Sequence, residues 1–145
     1  MKNKCFPHLL GIGLLIAAAI LAAYGQTTGP RSSLAVYVPF DFVVGDKTLL
    51  SGRYELTPTS DRVLRVQSAD GMNSAFVQTR AVSGRKPDSF EHVVFNCYGD
   101  RCFLSQVWAA EHDLGRELKK CSLEERLAEK PTGHDVAVLT VKPKS

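Results

Sequence analysis

From Leu34 onward, apolar and polar residues alternate with a period of two, the pattern of strands that bury one face. Leu34, Val36 and Val38 oppose Ala35 and Tyr37. Pro39 interrupts this run and predicts a bend or an edge position, because proline donates nothing to a hydrogen-bond ladder. Phe40, Phe42 and Val44 share one side up to the Gly45-Asp46 turn signal. Lys47 to Gly52 returns the chain, and Arg53 to Thr57 alternates again with Tyr54 and Leu56 facing one way.

Two hairpins follow. Asp70-Gly71 is a strong turn signal and pairs residues whose numbers sum to 141, so Leu64 meets Val77 and Val66 meets Ala75. On the other face Arg65 falls opposite Phe76 and Asp61 opposite Arg80. Gly99-Asp100 turns the second hairpin, whose pairs sum to 199: Cys97 with Cys102, Phe95 with Leu104, Val93 with Gln106. Val93, Phe95, Cys97, Cys102, Leu104 and Trp108 then share one face that only Gln106 spoils, and His92 faces solvent opposite Val107. The rest of the chain reads as cover for this face.

After Trp108 the spacing turns helical. Leu114, Leu118 and Cys121 share one helical face, while Leu123 and Leu127 sit almost opposite it. The simpler reading breaks the segment at Ser122, where Ser122-x-x-Glu125 is a capping box that starts a helix to about Lys130. Val136 and Val138 alternate with Ala137, Leu139 and Val141 as a last strand, buried on both sides or nearly so. The fold class expected is all-β: an antiparallel sandwich or small barrel of about eight strands with one short C-terminal helix.

The chain has 145 residues. Lys2 and Lys4 precede an uncharged apolar run, Leu9 to Ala23, that ends in Ala23-Tyr24-Gly25, the layout of a secretory signal peptide. Residues 1–25 are therefore expected to be a cleaved signal, 26–33 a flexible lead-in with Gly29-Pro30, and 34–145 one β domain that is exported, periplasmic or extracellular. An uncleaved anchor is the rival, but a span takes roughly 20 apolar residues and Pro7-His8 shortens this one. The formal charge of +3 falls to +1 once Lys2 and Lys4 are set aside. A near-neutral domain without a basic stripe disfavours nucleic acid as a partner.

Export would bring Cys97, Cys102 and Cys121 into an oxidising compartment. Cys97 and Cys102 form a non-hydrogen-bonded cross-strand pair with Cα atoms about 4.5 Å apart, within reach of a disulfide. Two small buried thiols or, less well supported by the spacing, a zinc ligand pair are the alternatives. Cys121 is left odd.

Catalytic and cofactor motifs are missing from the sequence. His92, His112 and His134 have no shared metal spacing, and no nucleophile elbow, phosphate loop or dinucleotide fingerprint occurs. Glu111-His112-Asp113 reads as a polar connection. Arg80, Arg85 and Lys86 offer an anion-holding loop or simply a solvated face. Tyr37, Phe76, Phe103 and Val107 fall opposite the assigned core, so they predict a covered second face or an exposed apolar surface for a partner. No cofactor is expected.

The segments V-P-F-D-F-V-V-G-D-K-T-L-L-S-G-R-Y-E-L (38–56), V-L-R-V-Q-S-A-D-G-M-N-S-A-F-V-Q-T (63–79) and F-N-C-Y-G-D-R-C-F-L-S-Q-V-W (95–108) resemble an uncharacterised family of small exported bacterial β-proteins. Its pattern is V-P-F-x-F-x-V-G-x-x-x-L-P-x-G-x-Y. The resemblance implies an exported β fold and supplies no activity. Leu50 stands where the family has proline, and Cys97 and Cys102 stand where it commonly has arginine and an aromatic. The expected function is a non-catalytic exported β domain that binds a protein partner or an envelope component, with Tyr37, Phe76, Arg80, Arg85, Lys86 and Phe103 as candidate contacts. A small barrel carrying an apolar ligand, in a cavity lined by Phe40, Phe42, Tyr54 and Trp108, is the alternative, and an enzyme is the third reading.

Overall fold

The second hairpin is the hub of the fold. In the computed structural model, which describes residues 33–84, 90–109, 114–131 and 133–141, β7 (His92–Tyr98) and β8 (Arg101–Trp108) pair antiparallel around Gly99. One edge of β8 is taken by β7 along its length. Its other edge is shared: β2 (Phe42–Val44) pairs in parallel at Cys102 and Phe103, and β9 (Leu114–Leu118) pairs antiparallel at Gln106 and Val107.

Among the described residues the remaining strands are β1 (Leu34–Val38), β3 (Lys47–Leu49), β4 (Gly52–Ser60), β5 (Val63–Ser68), β6 (Ser74–Ser83) and β10 (His134–Thr140), with one helix, α1 (Ser122–Ala128). They make one mixed ten-stranded sheet in the order β1-β4-β5-β6-β9-β8-β2-β3, with β7 and β10 branching from β8. The sheet wraps on itself without closing, and both halves send side chains into a common core. Phe42 makes edge-to-face contacts with Tyr54 and Phe95, and Phe40 adds a third with Phe95. Pro58 lies beyond the Leu34–Leu56 pair, the last between β1 and β4 among the described residues, and stands at the irregularity where the β4–β5 register shifts, a place where a strand tolerates proline.

The 61–80 hairpin has the expected register, Leu64 with Val77, Arg65 with Phe76 and Val66 with Ala75. Its connection is longer than two residues: the Ser68 N–H donates to the Asn73 carbonyl, and Gly71 adopts φ 75° in the loop between them. Arg80 does not meet Asp61. It pairs with Glu117 of β9, which lies directly across from it.

The 90–108 hairpin keeps the expected pairs from Tyr98–Arg101 out to Phe95–Leu104 and then slips. Ser105 is an extra residue on β8, so Val94 faces Gln106, Val93 faces Val107 and His92 faces Trp108. The cause is burial. A regular register would put the Gln106 amide into an apolar core, which costs more than the ladder bond a bulge gives up. With the slip, Val107 enters the core and Gln106 and Trp108 turn outward.

Three further expectations are corrected. Residues 114–118 are a strand, β9, whose partner β6 lies far away in sequence. Cys121, not Ser122, stands at the helix N-cap, and no side chain caps it, so the capping box does not form. β10 is an edge strand paired only with β7, and its Val136 and Val138 are exposed. The expected signal segment 1–25, most of the lead-in, Arg85, Lys86 and Glu111-His112-Asp113 lie outside the described residues.

Candidate functional site

Slipped register puts two consecutive polar side chains, Ser105 and Gln106, on the outer face of β8. They sit in an open groove of about 1210 Å³ that crosses β6, β9, β8 and β7 and is flanked by Glu125 of α1 and His134 of β10. Gln78 and Arg80 of β6, Glu117 of β9 and Asn96 of β7 contribute to its lining. Arg62, Lys119 and Lys120 add cations, and Asp61 and Glu125 add carboxylates. Arg80 Nε donates to Glu117 Oε2 at 2.6 Å, which fixes one charge pair on the groove floor.

At the α1 end a hydrogen-bonded cluster holds the wall. Glu124 is buried, and its Oε1 accepts from Asn96 Nδ2 at 3.1 Å and from the Tyr98 hydroxyl at 3.5 Å. Asn96 Nδ2 also reaches Ser105 Oγ at 3.2 Å, and Asn96 Oδ1 lies 3.3 Å from His134 Nε2. The His134 ring stacks on Tyr98 at 5.0 Å. Burial, and then the Glu124 carboxylate, push the Tyr98 hydroxyl above its ordinary pKa of 10.0. The Glu124 carboxylate thus joins the helix to the hub hairpin, and the Asn96 amide carries the contact on to His134 of the edge strand. The Ser105 hydroxyl accepts from the Asn96 amide, which fixes its place in the cluster.

The far end is shaped by Trp108. Its indole lies over Gly115 and Gly84, where any Cβ would approach ring atoms to 2.6 Å, and it stacks with His92 at 5.8 Å. Trp108 Nε1 donates to Gln106 Oε1 at 3.1 Å and so orients the groove amide. Gly84, just past the end of β6, and Gly115 on β9 make the room this ring needs.

The residues singled out from the sequence do not converge. Tyr37 is exposed on β1 in the row of Arg53, and Phe76 is exposed on β6 in the row of Arg65. They stand three strands apart, roughly 14 Å across the sheet. Phe103 is not a surface contact. It is 2% exposed and packs edge-on against Tyr98, and Val107 is buried in the core. Among the described candidate contacts, only Arg80 enters the groove. Among the described residues no three His, Cys, Asp or Glu side chains gather as metal ligands. The sulfurs of Cys97 and Cys102 are bonded at 2.09 Å, as their facing positions predict.

Trp108 is outside, and the interior is filled: the space among Val36, Phe42, Tyr54, Leu56, Val93 and Phe95 holds no volume open to a water-sized molecule. Asn96, Ser105, Gln106, Glu117 and Glu124 were not foreseen, because only the bulge and the β6–β9 pairing bring them together. No family model, curated protein or solved structure matches the chain.

Proposed function

We propose that this chain is an exported, non-catalytic β domain that binds a protein partner or an envelope component through the groove on the outer face of β6, β9, β8 and β7. The observation that supports this reading most is the groove itself. It is long, open and lined by side chains that both donate and accept, while the interior of the sheet is filled. An extended polar ligand fits a lining of amides, hydroxyls and side chains of both charges better than a compact apolar one does. The cysteine bridge agrees with an oxidising compartment, and Lys2, Lys4 and the apolar run after them agree with export.

The test is a titration of the full chain, followed by backbone amide shifts, with soluble cell-wall glycopeptide fragments and separately with anionic-lipid vesicles. Saturable shifts centred on Gln78, Arg80, Ser105, Gln106 and Lys119, weakened at least tenfold by Lys119→Glu, are expected from one of the two. Shifts confined to other surfaces would contradict the site. Turnover of a generic ester, peptide or glycoside panel that disappears in His134→Ala would contradict the non-catalytic reading.

A further inference from the structure

Two cysteines, one of them bridged to a third, line one cavity where β8 begins. Cys97 and Cys102 are bridged across the hub hairpin with Cα atoms 4.0 Å apart. Cys102 lines a cavity of about 380 Å³, and Cys121, the free thiol, lines the same cavity from the coil that leads into α1. Cys97 does not line it and belongs to the buried core. This asymmetry decides which sulfur can react. A thiolate must approach one sulfur of a disulfide while the other departs, and access selects the sulfur attacked. Here Cys102 shares the cavity with Cys121, and Cys97 does not line it.

Little entropy holds the existing bridge. Its partners are five residues apart, and a disulfide stabilises through the unfolded chain in proportion to the logarithm of the loop it closes. A bond from Cys102 to Cys121 closes a longer loop. Cys121 follows the exposed Lys119-Lys120 coil and stands at the N-cap of α1, where its carbonyl accepts from the Glu125 N–H, so its side chain reaches the cavity from the start of the helix.

We infer that Cys121 is the exchanging thiol of an internal disulfide relay. Its thiolate attacks Sγ of Cys102, a Cys102–Cys121 bond forms as the Cys97–Cys102 bond breaks, and Cys97 leaves as a thiolate that takes a proton from water. One disulfide and one thiol enter the step and one of each remains, so no outside oxidant is needed. The exchanged form ties α1 directly to β8. Because Glu124 of that helix holds Asn96 and Tyr98, the exchange fastens the wall of the groove.

The test uses the full chain with Cys5→Ser, so that only three sulfurs take part. After incubation at pH 8 and an acid quench, free thiols are alkylated and the peptides mapped by mass. A fraction of chains with Cys97 alkylated and a Cys102–Cys121 linked peptide is expected, and both vanish in Cys121→Ser. Mild oxidation of Cys97→Ala is expected to yield the Cys102–Cys121 bridge in most chains. Alkylation of Cys121 alone in the parent overturns the inference, whether or not Cys97→Ala folds. So does a Cys121–Cys121 dimer formed without the internal bridge.

Discussion

Glu124 shows at the level of one residue how a buried charge organises its surroundings. Its carboxylate is tolerated because Asn96 and Tyr98 both donate to it. Glu124→Ala leaves two part-buried donors without their acceptor, so a loss of about 1–3 kcal/mol is expected in denaturant unfolding. The Tyr98 hydroxyl, held above 10.0 in the fold, favours the folded state while it stays neutral. That contribution is whole below the ordinary tyrosine value and is lost as pH rises through the folded one. In Glu124→Ala the tyrosinate absorbance should therefore appear at lower pH. Asp70 has the opposite sign. The Ser68 hydroxyl and the Met72 N–H hold its carboxyl below the usual range, so the loop gains above the ordinary carboxylate value and loses as pH falls through the lowered one. The protection of the Met72 and Asn73 amides, measured against their unstructured exchange rates, should fall in acid, and Asp70→Ala should remove that dependence. Gly115→Ala forces the Trp108 ring off its seat, with a cost of about 1–3 kcal/mol and a changed indole emission.

Among the elements, the 61–80 hairpin was legible because turn, alternation and cross-strand pairs all agree on one register. The 90–108 hairpin was legible for four pairs and then not. Nothing local in Leu104-Ser105-Gln106-Val107 signals a bulge; its driver is the competition between Val107 and Gln106 for the core, which exists only once β9 and the rest of the sheet are in place. β9 was misread as helical because Leu114, Leu118 and Cys121 happen to fit a period near 3.6, and its pairing with Thr79–Ser83 is non-local. The helix was legible from Leu123 and Leu127, though not its cap. Deleting Ser105 restores strict alternation from Leu104 to Val107. The variant should fold with Val93 still opposite Val107, while the groove loses a hydroxyl and Asn96 loses a partner, readable as faster exchange across α1.

On the scale of the whole molecule, one sheet supplies two surfaces with separate tasks. Its inner face is filled by Phe42, Phe95 and their neighbours, and Phe95→Ala should cost about 3–5 kcal/mol, whereas Tyr37→Ala on the exposed face should stay within about 0.5 kcal/mol. Its outer face carries the groove, and the boundary between the two faces runs through the slip at Ser105. All-β class and the bridged cysteines were visible in the sequence because alternation and turns are local. The groove was not, because it is assembled from strands joined late and far apart. Interstrand nuclear Overhauser contacts along β7 and β8 test this arrangement most directly. Contacts of the Val107 methyls with Val93 and Phe95, and none from the Gln106 amide to Val93, are predicted. Gln106 found opposite Val93 would send Val107 outward, bring Trp108 inside and abolish the groove.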